Sequence, residues 1–126
     1  MMNINNHGEF EGRLVSNPVY FPVTSNPSGG TVVALKLACR RNFAPKGSKG
    51  EPETDYIDFR DYLPGKVKGH GIYDFLEVGD AVKVVFSLRS SVGEKNGERT
   101  YYQTAQIEQI QIAESKAVRE ARRASR

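Results

Sequence analysis

Cysteine is nearly absent from these 126 residues: Cys39 stands alone, so no intramolecular disulfide can form. The two histidines, His7 and His70, are distant from it and from each other in sequence, which argues against a structural zinc site. Tryptophan is missing altogether. No apolar run exceeds a few residues, too short to cross a bilayer. The amino terminus, Met-Met-Asn-Ile-Asn-Asn-His-Gly, has neither a charged head nor an apolar stretch, and predicts no signal peptide. With the lone thiol, this points to a reducing, cytoplasmic setting. Catalytic motifs are missing too. There is no Gly-rich phosphate loop and no His–Cys or Ser–His pairing at a plausible spacing, so neither an enzyme nor a cofactor is expected. Asp55, Asp58 and Asp61 are close in sequence, but on a strand Asp58 faces away from the other two. They therefore cannot share a metal ion, and no metal is expected.

What is present is enough for one domain with one core: 38% of residues are apolar or aromatic. The net charge of +3 is unevenly spread. Residues 71–112 are net acidic, whereas residues 113–126 hold five basic groups against two acidic ones. Much of the basic pI of 9.1 therefore sits in the last fourteen residues. A basic pI alone is a weak argument for nucleic acid.

Most of the chain alternates with period two, the signature of half-buried strands. A first strand runs near Glu9–Leu14, with Phe10 and Leu14 on one face, and Asn17-Pro18 ends it. Asn26-Pro27-Ser28-Gly29-Gly30 is a turn cluster. Thr31–Arg41 reads as a second strand, placing Val33, Leu35, Leu37 and Cys39 inward. A buried position suits Cys39 as a small apolar thiol better than as a nucleophile. A Gly- and Pro-rich loop follows from Ala44 to Pro52. Thr54–Leu63 is a third strand with Ile57, Phe59 and Leu63 inward. Gly79–Arg89 is a fourth, with Val82, Val84, Phe86 and Leu88 inward. Asn96-Gly97 marks a hairpin, and Thr100–Ile112 returns as a fifth. A short helix is expected around Ile72–Glu77. Residues 113–126, rich in Ala, Glu, Lys and Arg, can form another. The expected fold class is all-β: a five-stranded Greek-key barrel of the OB type. It has a short helix between strands three and four, and a basic tail follows it. Residues 1–112 would form the domain and 113–126 the tail.

The third strand is the informative one. Its outward face reads Thr54, Tyr56, Asp58, Arg60, Tyr62. Two exposed tyrosines beside a guanidinium offer bases a surface to stack on and phosphates a charge to pair with. Tyrosine also favours strands for packing reasons alone, so the neighbours decide. Lys36, Arg40 and Arg41 on the second strand, Lys46 and Lys49 in the following loop, and Arg89, Lys95 and Arg99 on the fourth–fifth hairpin flank this face. Together with Arg60 they are the candidate phosphate ligands. That layout suits a groove for single-stranded nucleic acid.

From about Asn3 to Ile112 the chain resembles the bacterial single-stranded DNA-binding proteins. The resemblance rests on Gly12-Arg13-Leu14 with Asn17-Pro18, on Leu35–Phe43, on Thr54-Asp55-Tyr56-Ile57-Asp58-Phe59, and on Phe75-Leu76-Glu77-Val78-Gly79-Asp80-Ala81-Val82. It implies base-stacking roles for Phe43, Tyr56 and Tyr62. The family's fourth stacking position would fall near Val92 or Gly93, where this chain has no aromatic. Leu63–Gly71 replaces the usual start of the family's helix, and the carboxyl terminus is basic where relatives carry an acidic, partner-recruiting tip. Recruitment through such a tip is therefore not expected.

These readings converge on a non-catalytic protein that coats single-stranded DNA with little sequence preference in the bacterial cytoplasm or nucleoid. It would act in replication, recombination, repair or transfer. The alternative is an OB-fold protein-interaction module in a replication or mobile-element assembly. By resemblance a homotetramer is expected, with a homodimer as the smaller option, and no membrane partner. In the tail, Lys116, Arg119, Arg123 and Arg126 would share one helical face beside Arg122, a stripe suited to extra phosphate contacts.

Overall fold

The computed structural model describes residues 4–24, 29–42, 44, 46–47, 50, 52–65 and 69–125. Six strands form one sheet: β1 (Gly8–Leu14), β2 (Val19–Pro22), β3 (Gly30–Arg40), β4 (Thr54–Pro64), β5 (Ala81–Lys95) and β6 (Glu98–Ile112). A 3-10 turn, Gly71–Phe75, precedes β5, and a helix, α1 (Lys116–Ala124), follows β6. Five strands close into a barrel. β1 pairs with β5, β5 with β6, β6 with β4 in parallel, β4 with β3, and β3 returns to β1. The sixth is a short addition the periodicity did not reveal: β2 lies along the amino-terminal half of β3, pairing Val19 with Ala34 and Pro22 with Thr31.

Closure depends on Gly12. Just past it β1 pairs on both sides, Arg13 with Ala81 of β5 and with Ala38 of β3, and a Cβ on Gly12 would lie 2.5 Å from the Ala38 carbonyl oxygen. The inward faces then meet in a core of Leu14, Val33, Leu35, Leu37, Phe59, Val82, Val84 and Ile107. The Phe59 ring is fully buried, with the Phe10 and Phe86 rings tilted against it at 5.4 and 5.3 Å. The 3-10 turn supplies Tyr73, which is buried beside Leu76 in the same cluster; its hydroxyl donates to Asp61 at 2.6 Å. Burial and the Asp61 carboxylate together push the Tyr73 hydroxyl well above the usual phenol pKa.

Two residues placed inward by alternation are not covered. Ile57 is 37% exposed because β4 meets β6 only at Phe59 and Arg60, leaving its first residues on the rim. Leu88 is 54% exposed because β5 and β6 run past the barrel as a two-stranded arm that ends in the Asn96-Gly97 turn. Both turn residues have positive φ, 56° and 81°, as a two-residue hairpin of this type requires. The arm is longer than the expected strands: its pairs continue to Lys95 and Glu98.

The carboxyl-terminal segment is helical and tied to the barrel. The Ser115 hydroxyl caps α1, accepting from the Val118 N–H at 3.2 Å. Two of its arginines then turn toward buried carboxylates. Arg122 reaches Asp80 at 2.6 Å and Glu114, and Arg123 reaches the other Asp80 oxygen at 2.6 Å and Glu77 at 3.0 Å. The Asp80 side chain has no exposed surface. Burial alone would raise its pKa, but the Glu77 N–H and both guanidinium groups hold it below the usual carboxylate range. Glu114 is drawn down to about 2, chiefly by Arg122. For Arg122 and Arg123, the expected phosphate stripe is therefore corrected. Their charge is matched by the protein's own carboxylates.

Candidate nucleic-acid interface

The outer faces of β3, β4, β6 and the arm form one surface. Because side chains alternate, β4 presents Tyr56, Asp58, Arg60 and Tyr62 outward in a row. Cross-strand partners on β3 are Ala38 opposite Tyr56, Lys36 opposite Asp58, Ala34 opposite Arg60 and Val32 opposite Tyr62. On the other side Arg60 meets Gln106 of β6, and β6 continues outward through Thr104 to Tyr102. The small Ala38 leaves the Tyr56 ring 61% exposed; Tyr62, opposite Val32, is 42% exposed.

Tyr62 is held in place. Its hydroxyl donates to the Gly29 carbonyl at 3.0 Å, and its ring lies so close over Gly30 that a Cβ there would fall 2.5 Å from the hydroxyl oxygen. Behind it Asp61 accepts from the Tyr62 N–H at 2.8 Å as well as from Tyr73, joining this strand to the 3-10 turn. Two depressions adjoin the row. One is lined by Val32, Arg60, Tyr62, Arg89, Ser91 and Gln106, the other, of about 460 Å³, by Asp58, Arg60, Ser91, Tyr102 and Thr104. Arg60 and Ser91 border both, so the two make a continuous groove between β4 and the arm.

The candidate cations divide by what faces them. Arg60 makes no ion pair among the described residues and stands in the groove. Lys36 faces Asp58 at 3.8 Å. Arg41 is bound by the Asp55 carboxylate at 2.9 Å and by Glu53 at 3.2 Å, so its charge is largely spent locally. The hydrogen bond from Arg41 lowers the Asp55 pKa. Arg89 borders the groove but reaches Glu108 at 3.2 Å. A bulge makes this possible: Val85 opposes Gln109 and Phe86 opposes Ile107, leaving Glu108 without a β5 partner. Glu108 also accepts from the Ser87 hydroxyl, and that bond, with Arg89, keeps its pKa low. Arg40 is exposed at the end of β3, and Lys46 is exposed in the loop that follows. Lys95 and Arg99 flank the arm's tip, beyond the groove. Phe43 and Lys49 lie outside the described residues. The groove thus gathers Tyr62, Arg60 and Arg89; Tyr56 and Lys36 stand on the same face beside its lining, and Lys95 and Arg99 lie beyond it.

The sequence reading missed an aromatic here. Val92 pairs with Tyr101 and Ser91 with Tyr102, so aromatics reach this stretch of the arm from β6. Tyr102 lies on the groove face, 53% exposed, with its ring packed over Gly93; Tyr101 lies on the opposite face. The signal was available in the alternation Gln106, Thr104, Tyr102, but only once the hairpin register is known.

No protein-family model and no curated protein matches the sequence. Solved structures do match in shape. The structure of Plasmodium falciparum SSB in complex with ssDNA aligns with a TM-score of 0.65 at 16% identity, covering 90% of this chain and 99% of that one. The wild-type single-stranded DNA-binding protein from Thermus aquaticus aligns with a TM-score of 0.65 at 23% identity, covering 89% of this chain and 52% of that one. The barrel shares its fold, an OB fold, with these two structures. Within that OB fold, β2 and the arginine-clasped α1 dress a barrel whose closure and 3-10 turn follow from this chain's own residues.

Proposed function

We propose that this protein binds single-stranded DNA, without catalysis and with little sequence preference, along the groove between β4 and the β5–β6 arm. The observation that carries the reading is the outward row of Tyr56, Asp58, Arg60 and Tyr62 facing Tyr102 across the groove. Stacking on tyrosine is tolerant of sequence because every base has a π-face, and Arg60 and Lys36 supply phosphate contacts. Phe43, Arg40, Lys46 and Lys49 would extend the path from the end of β3. The roles that follow are protection of exposed strands in replication, recombination, repair or transfer.

The reading includes self-association into a homotetramer or a homodimer. From Gly8 to Gly12, β1 pairs with β5, and its pairing with β3 is confined to Arg13 and Leu14. The other edge of that stretch is open among the described strands, which supports pairing with a second copy. Light scattering at micromolar concentration tests this, and a mass near 14 kDa would refute it.

Titration with oligo(dT) at several salt concentrations, read by tyrosine fluorescence, tests the binding itself. There is no tryptophan, so quenching reports on tyrosine directly. Quenching with salt-sensitive affinity is expected. Its absence would favour the interaction-module reading, for which the exposed Leu88, Val92 and Tyr101 on the arm's other face are the supporting observation.

A further inference from the structure

An acidic residue stands in the middle of a surface otherwise suited to phosphate. Asp58 lies between Tyr56 and Arg60 on β4, its side chain 75% exposed and bordering the groove with Tyr102. Its two sequence neighbours among the aspartates are occupied, Asp55 by Arg41 and Asp61 by Tyr73 and the Tyr62 N–H. Among the described residues Asp58 pairs with Lys36 alone, directly across the strand pair at a loose 3.8 Å. Ala34 and Ala38 flank Lys36 on β3, so nothing large covers the Asp58–Lys36 pair.

We infer that Asp58 and Lys36 read the edge of a base stacked on Tyr56, and that the base they favour is guanine. The inference rests on the single-strand reading above. Residues two apart on one face of a strand are about 7 Å apart, so a base lying on the Tyr56 ring brings its edge to Asp58. A carboxylate only accepts hydrogen bonds, and it accepts best from two adjacent donors. Guanine alone presents such a pair on its Watson–Crick edge, N1–H beside the 2-amino group, with the O6 acceptor next to them for a lysine ammonium. Cytosine and adenine present on that edge a single amino donor beside a ring-nitrogen acceptor. Thymine presents one imino donor between two carbonyls, whose lone pairs face the carboxylate unfavourably. The repulsion Asp58 exerts on phosphate is the cost of this arrangement, and Lys36 offsets part of it.

Fluorescence anisotropy with the full chain tests the inference, using oligo(dT), a strand of equal length with deoxyguanosine at every third position, and the same strand with deoxyinosine instead. Separated guanines form no quadruplex. The guanine strand should bind about five-fold tighter than oligo(dT), and inosine, which lacks the 2-amino donor, should fall between them. In Asp58→Ala the two strands should bind alike, with oligo(dT) held more tightly than by the wild type because a charge facing phosphate is gone. Equal wild-type affinity for the guanine and thymine strands, or a guanine preference that survives in Asp58→Ala, would overturn the reading of Asp58 while leaving the stacking groove intact. Failure of oligo(dT) itself to bind would overturn the groove, and the base preference with it.

Discussion

Two cationic regions of this chain look alike as sequence and differ in what surrounds them. The α1 segment reads Lys116-Ala-Val-Arg119-Glu-Ala-Arg122-Arg123, more densely basic than anything on the barrel. Yet Arg122 and Arg123 converge on the buried Asp80, with Glu114 and Glu77 beside it. The groove has fewer charges, but Arg60 stands there without an ion-pair partner among the described residues, next to exposed rings. Positive charge makes a nucleic-acid surface only where the protein has not already neutralised it. Density along the chain is a poor guide to that, because Asp80 lies more than forty residues from the arginines it binds.

The comparison breaks most visibly at Asp80. Asp80→Ala removes the carboxylate shared by both guanidinium groups and the acceptor of the Glu77 N–H. Stripping one partner from a buried pair leaves the other uncompensated, so stability should fall by about 3 kcal/mol. Affinity for single strands should not change. Urea denaturation and an oligo(dT) titration on the same sample separate the two effects. A gain of affinity on freeing the two guanidinium groups would mean that the helix, and not the groove alone, contacts DNA.

The reverse experiment is Tyr56→Ala. Its ring is 61% exposed and supports no core contact, so the denaturation midpoint should stay put. Affinity should drop by about 1–3 kcal/mol. Tyr102→Ala should behave similarly if the aromatic reaching the groove from β6 stacks as proposed. Wild-type affinity in both variants would remove the platform.

How much of this was legible beforehand depends on the range of the interaction. Period-two alternation located the five barrel strands, and the exposed tyrosines on β4 followed from the same period, because each depends on residues two apart. The short β2 escaped, since four residues that follow one proline and end on another carry no period to read. Leu88 was misplaced because alternation says which way a side chain points but not where the barrel ends. Tyr102, the Glu108 partner of Arg89 and the Asp80 partner of the helix all depend on register or closure. A single strand cannot disclose either.

Acid should release the helix from its buried carboxylates. Glu114 titrates near 2 in the folded protein against 4.5 in its ordinary state, and Asp80 is also held low. A depressed carboxyl contributes its full stabilisation above the unfolded value and loses it as pH falls toward the folded one. Stability should therefore be level above about pH 5 and decline from there toward pH 2, steeply enough to follow by denaturation midpoints. Glu114→Gln should start lower and show a shallower decline. An identical acid limb in that variant would assign the pH dependence elsewhere.

The smallest effect is the most direct comparison of the two regions, because it counts phosphate contacts. Each contact on a single strand contributes about 0.7 to the slope of log K against log salt. Arg60→Ala should shrink that slope by about that amount, since its guanidinium faces the groove without a counter-charge among the described residues. Lys116→Ala removes the same formal charge from the first turn of α1. Its ammonium lies 3.9 Å from Glu120, and its surroundings include Asp74, Glu77 and Glu120, an acidic setting for a phosphate to approach. Its slope should equal that of the wild type. The pair of measurements uses one charge deletion on each surface, so a shift in overall net charge cancels between them. Equal loss of slope in both variants would mean that phosphates are held by the general positive field of the molecule, and the groove would lose its claim to be the binding path.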